Sequence, residues 1–118
     1  MPHSDLIPRG GQAVLPWGIE PMDLGVRDGR IAAMGSLRGS EATQEVDCRH
    51  LHVLPGLIDA HVHLREPGDP AVETIATGTK AAIQGGLAAV FDMPNTAPSI
   101  TDSTQLAWKR AYVSENAC

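Results

Sequence analysis

Residues 55–68 read Pro55-Gly56-Leu57-Ile58-Asp59-Ala60-His61-Val62-His63-Leu64-Arg65-Glu66-Pro67-Gly68, an apolar stretch that ends in two imidazoles two positions apart. In an extended strand successive side chains alternate between faces. Asp59, His61, His63 and Arg65 are therefore expected on one side, and Ile58, Ala60, Val62 and Leu64 on the other. A strand with one polar and one apolar face suits the inner wall of a parallel α/β barrel. There the apolar residues meet outer helices and functional side chains gather at the strand's carboxyl end. His61 and His63 are the candidate metal ligands, and they supply half of a site.

Spacing alone does not select them, because His50 and His52 have it too. Context separates the pairs. His61 and His63 follow an apolar strand and precede Arg65 and a Pro-Gly turn, whereas His50 and His52 sit in a polar connection. Those two and His3 are read as ordinary surface or hydrogen-bonded histidines.

Length sets the next bound. A complete eight-stranded barrel takes about 250 residues, and this chain has 118. It is 42% hydrophobic with only four aromatics, Trp17, Phe91, Trp108 and Tyr112, so any core rests on small aliphatics. The formal net charge of −5, with no polybasic run, argues against nucleic-acid binding. No apolar run approaches the ~20 residues that cross a bilayer. Met1-Pro2-His3-Ser4-Asp5 lacks the basic and hydrophobic regions of a secretory signal, so a cytoplasmic protein without a membrane partner is expected. Cys48 and Cys118 offer neither a disulfide framework nor a Cys-x-x-Cys metal motif.

Two regions follow along the chain. Residues 1–54 hold short β-prone pieces (6–7, 12–15, 23–27, 30–34 and 45–47) cut by Gly10-Gly11, Trp17-Gly18, Asp28-Gly29 and Gly35-Ser36. Asp28-Gly29 is the strongest hairpin signal. The region reads as part of a small β-sandwich with a structural role, since it has no acid, histidine or nucleophile beside a glycine-rich loop. Residues 55–118 change period. Strand 55–64 is followed by a helix over 73–85, with Ile75, Ala76, Thr79, Ala82 and Ile83 at helical spacing and Gly85-Gly86 as its stop. A buried strand at 87–91 runs into the polar turn Asp92-Met93-Pro94-Asn95-Thr96. Thr101 or Asp102 caps a second helix over 103–114, where Leu106, Lys109, Arg110 and Val113 give a mixed face. Strand, helix, strand, helix is the repeating unit of a parallel α/β fold.

Three stretches in this order resemble the amidohydrolase superfamily, its cyclic amidase branch, and within that the dihydroorotases. They are Pro55–Gly68, then Glu73–Ala82 with Gly85-Gly86, then Asp92-Met93-Pro94-Asn95-Thr96-Ala97-Pro98. The Val-Arg-Asp-Gly-Arg-Ile hairpin at 26–31 resembles the family's amino-terminal β segment. The related allantoinases usually carry Asn at the position of Arg65 and Leu-Asn in place of Asn95-Thr96. Dihydropyrimidinases usually have a threonine between the histidines and lack Arg-Glu-Pro-Gly.

The resemblance implies an α/β fold: the first two β/α units of a TIM-like (β/α)8 barrel, left incomplete, after a partial β-sandwich. It implies reversible ring opening of dihydroorotate to N-carbamoyl-aspartate in pyrimidine synthesis, helped by one or two zinc ions. His61 and His63 would hold metal. Arg65 and Asn95 would grip the substrate's ring carboxylate, a group that a planar guanidinium binds through two charge-assisted hydrogen bonds and that allantoin and dihydropyrimidines lack. Asp59 is read as orienting a ligand or filling the barrel floor. The family's remaining ligands and its proton-shuttling aspartate come from later strands. Neither Lys80 nor Lys109, both on helices, is a believable bridging ligand. No catalytic residue is therefore assigned in this chain, which is expected to be an inert amino-terminal fragment by itself and a poor solo folder. Full-length relatives suggest a homo-oligomer or a complex with aspartate transcarbamoylase. The competing readings are an allantoinase or dihydropyrimidinase-like hydrolase and a non-catalytic scaffold of aspartate transcarbamoylase.

Overall fold

The computed structural model describes residues 3–118. Met1 and Pro2, at the start of the expected 1–54 region and of the segment that lacks secretory-signal features, lie outside the described residues. The chain divides into two compact units between Pro55 and Gly56.

In the first unit, β1 (Ser4–Arg9), β2 (Gly11–Leu15), β3 (Gly18–Arg27), β4 (Arg30–Gly35), β5 (Ala42–Asp47) and β6 (His52–Val53) form one six-stranded sheet. Its order is β5-β1-β3-β2-β6, with β4 also on β3. The early half of β3 pairs with β2, and its later half with β1 and β4. A register shift between Gly25 and Val26 marks an irregularity there, of the kind that bends a strand and curls its sheet. A Cβ on Gly25 would stand 3.2 Å from Ala33, Leu37 and Ser4 atoms, a tight fit that those neighbours would have to yield to. The Asp28-Gly29 hairpin forms as expected. Both residues have positive φ, 51° and 69°, with Arg27 opposite Arg30, the backbone that favours Asp-Gly between twisted strands.

Ile7, Ala13, Leu37 and Cys48 make the core of this unit, and Trp17 is exposed. The bipartite strand β3 begins earlier than the predicted 23–27, and β6 was not predicted at all. The Arg9 guanidinium ties β1 to its surroundings. Its Nε donates to Glu45 Oε2 at 2.7 Å, and its other nitrogens donate to the carbonyls of Leu37 (3.1 Å) and Ser40 (2.8 Å). These are structural cross-links.

In the second unit, β7 (Leu57–Val62), α1 (Ile75–Gln84), β8 (Leu87–Asp92) and α2 (Ser103–Asn116) follow one another. β7 and β8 are parallel, with Leu57 opposite Leu87 and Val62 opposite Asp92. Parallel neighbours need a crossover, and α1 is it. The Thr74 side chain accepts from the Thr77 backbone N–H, and the Thr77 hydroxyl from that of Thr74, which starts the helix two residues after the predicted 73. Gly86, at φ 82°, takes the left-handed position that ends it. Asp102 caps α2, its carboxylate accepting from Gln105 N–H at 2.8 Å. Thr101 instead donates its N–H to the Gln105 side chain at 2.8 Å.

The expectation of a strand over 55–64 is corrected at both ends, since β7 spans Leu57–Val62. After Val62 the ladder gives way, because the Leu64 N–H donates to the Asp92 carboxylate at 2.9 Å. The apolar face is also only partly covered. Leu64 reaches α1, where a Cβ on Gly78 would lie 2.6 Å from its Cδ2. Ile58, expected against a helix, is 65% exposed because α1 packs on β8. Among the described residues no helix is long and apolar enough to cross a membrane.

Candidate metal centre

The carboxyl ends of β7 and β8 bring three polar side chains together. His61 lies in β7 and His63 follows its last residue. Their shared side of the chain puts His61 Nε2 3.2 Å from His63 Nε2, the rings 5.1 Å apart and inclined at 64°. Two imidazole nitrogens at Zn–N distances of ~2.0–2.1 Å in a tetrahedral sphere stand ~3.3 Å apart. The pair therefore has the separation that a single bound ion requires.

Asn95, in the turn after β8, meets this pair. Its Oδ1 accepts a hydrogen bond from His63 Nδ1 at 2.8 Å. A proton on Nδ1 leaves the lone pair of neutral His63 on Nε2, facing His61. Asp59 accepts from the His61 backbone N–H through Oδ1 at 3.0 Å, which fixes the strand at His61. Among the described residues no group of three or more His, Cys, Asp and Glu side chains converges on one point.

Arg65 is exposed, and its guanidinium has no hydrogen-bond or ion-pair partner among the described residues. Since β7 stops at Val62, strand alternation does not carry as far as Arg65; its carbonyl instead accepts from Asp69 N–H at 2.8 Å, opening the following turn. His3 shares a hydrogen bond with the Thr43 hydroxyl at 2.9 Å. His50 occupies a left-handed turn at φ 67° and His52 lies in β6.

A further polar link ties the end of β8 to α2, and no local pattern in the sequence displays it. Asp92, the last residue of β8, takes the Leu64 N–H on one oxygen and the buried Lys109 ammonium on the other. Lys109 was read as part of a mixed helix face; it is the inner end of an ion pair. An acid closing an apolar strand, with a lysine among apolar residues on the next helix, was the available, non-local signal. Lys80, by contrast, is exposed on α1. Glu66 makes a second link. One oxygen accepts from the Tyr112 hydroxyl at 2.5 Å and the other from Ile75 N–H at 2.8 Å, at the start of α1. The Tyr112 hydroxyl and then the Ile75 N–H hold the Glu66 carboxyl below the usual range, and the same bond raises Tyr112.

Residues 51–118 match the family described as dihydro-orotase-like. Over 82 residues, 70% of this chain and 19% of the relative, the sequence is 52% identical to a dihydroorotase from Brevibacillus brevis. Over 118 residues, 99% of this chain and 26% of the relative, it is 45% identical to an allantoinase from Rubrobacter xylanophilus. Among solved structures, an L-hydantoinase (dihydropyrimidinase) from Arthrobacter aurescens superposes with a TM-score of 0.85 at 27% identity, covering 93% of this chain and 25% of that one. The chain thus spans about a quarter of the length of the relatives it matches.

Proposed function

The chain belongs to the dihydro-orotase-like family, and from that premise we propose that it is the amino-terminal part of a zinc-dependent dihydroorotase, which reversibly opens dihydroorotate to N-carbamoyl-aspartate. β7-α1 and β8-α2 are two β/α units of the family's TIM-like barrel, which has eight. The observation that carries the substrate reading is the Arg65 guanidinium, unpartnered among the described residues, two residues past His63, in a chain whose Asn95 amide rests on His63. A guanidinium free of internal partners is available to a substrate carboxylate, and it distinguishes dihydroorotate from uncharged cyclic amides.

In the proposed reaction His61 and His63, whose Nε2 atoms face each other, would hold the ion. Two nitrogen donors suit zinc over the oxygen-seeking magnesium and calcium. Bound zinc would acidify a water molecule and polarise the amide carbonyl. Arg65 fixes the carboxylate, which orients the ring, and the free Nδ2 of Asn95 adds a second donor to it. Two ligands fall short of the three protein ligands usual for catalytic zinc, so the chain by itself is proposed not to turn substrate over. Two free cysteines accord with a cytoplasmic setting.

The runner-up, an allantoinase, is favoured by the length of its match, 99% of the chain. A non-catalytic scaffold is disfavoured by the retention of His61, His63 and Arg65. The test reads binding. In NMR titrations of the zinc-loaded chain, dihydroorotate should shift the Arg65 Nε–H and Asn95 Nδ2 signals, allantoin should leave them in place, and Arg65→Met should abolish the response. An equal response to allantoin, unaffected by that substitution, would replace this reading by the runner-up.

A further inference from the structure

We infer that Asn95 is a positioning residue for the metal ligand His63, acting on the metal as well as on substrate. The inference rests on the metal half of the proposed function and deepens it. The amide of Asn95 has two ends, and the structure commits one of them. Oδ1 accepts from His63 Nδ1 at 2.8 Å, while Nδ2 has no partner among the described residues.

An imidazole presents its lone pair at Nε2 only when its proton sits on Nδ1, and an acceptor at Nδ1 selects that form. His63 Nε2 thereby faces His61 Nε2 across 3.2 Å with its lone pair already directed between the rings. The two ligands are unequal. His63 is held at Nδ1 by a side chain from the turn after the other strand, whereas His61 Nδ1 has no partner among the described residues. Asn95 also joins the ends of both strands, since His63 follows β7 and Asn95 follows β8. With Oδ1 on the ligand and Nδ2 toward the substrate carboxylate, one side chain couples the two bindings, and by linkage each strengthens the other.

Asn95→Ala and Asn95→Asp separate this role from simple carboxylate recognition. Aspartate can still accept from Nδ1 but repels a substrate carboxylate, whereas alanine does neither. The two measurements are 15N chemical shifts of the His63 ring in the metal-free chain and zinc affinity by competition with a chelator. In the wild type and in Asn95→Asp, His63 should be in the Nδ1–H form. Asn95→Ala should give a tautomer mixture and bind zinc about 10–100-fold more weakly, with Asn95→Asp restoring the affinity. A backbone NMR spectrum unchanged away from residues 61–65 and 92–98 verifies that each variant is folded. If the wild type binds zinc and Asn95→Ala alters neither tautomer nor affinity, the inference is overturned while the proposed function stands. If the wild type binds no zinc at millimolar concentration, the metal reading falls and takes this inference with it.

Discussion

Glu66 shows how single residues hold the rim of this site. It follows Arg65 directly, and its two oxygens bind elements far apart in sequence: the first residue of α1 and the Tyr112 hydroxyl on α2. Losing its charge weakens both bonds at once. Because its folded pKa is lowered, its contribution to stability is complete above the ordinary glutamate value of about 4.3. That contribution disappears as pH falls through the lowered value. Chemical-denaturation midpoints followed from pH 6 to pH 3 should drop more steeply in the wild type than in Glu66→Gln, with the curves converging at the acid end. Parallel curves would remove Glu66 from this role. The sequence displayed Glu66 only as part of a motif, since nothing local links it to a tyrosine 46 residues later.

At the scale of elements, the β7-α1-β8 crossover depends on close approaches that only small residues allow. A Cβ on Gly56 would stand 2.4 Å from the Ala88 Cβ, and one on Gly78 2.6 Å from Leu64 Cδ2 and 3.0 Å from the Glu73 carboxyl carbon. Alanine is the better helix former, so Gly78→Ala at an open helical site would stabilise by about 1 kcal/mol. Here overpacking opposes it, at about 1–3 kcal/mol. A lower melting temperature for Gly78→Ala is the expected result, and a higher one would show that Leu64 moves aside freely. Element types and order in this half were legible because periodicity, Pro-Gly, Gly-Gly and Asp102 are local signals. The end of β7 was not, because the Leu64 N–H is taken by a carboxylate from another strand. The same limit hid the Asp92–Lys109 pair and the contact between Asn95 and His63.

For the whole molecule, the balance of polar order and uncovered apolar surface follows from what the chain contains. The first unit closes on a small aliphatic core and salt-bridged cross-links. In the second unit Leu57, Ile58 and Phe91 are each more than half exposed on a two-stranded parallel sheet with unpaired edges. The relatives that the chain matches are about four times as long. What the chain does hold in full is the facing pair of imidazoles, legible in the sequence from the strand that carries them, and we propose that this pair binds metal. Zinc titration followed through the ring resonances of all five histidines tests it most directly. The expected result is saturable 1:1 binding that shifts His61 and His63 together and leaves His3, His50 and His52 in place, weakened at least tenfold by His61→Ala or His63→Ala. Zinc that binds at His50 and His52, or that binds unchanged in both alanine variants, would contradict it.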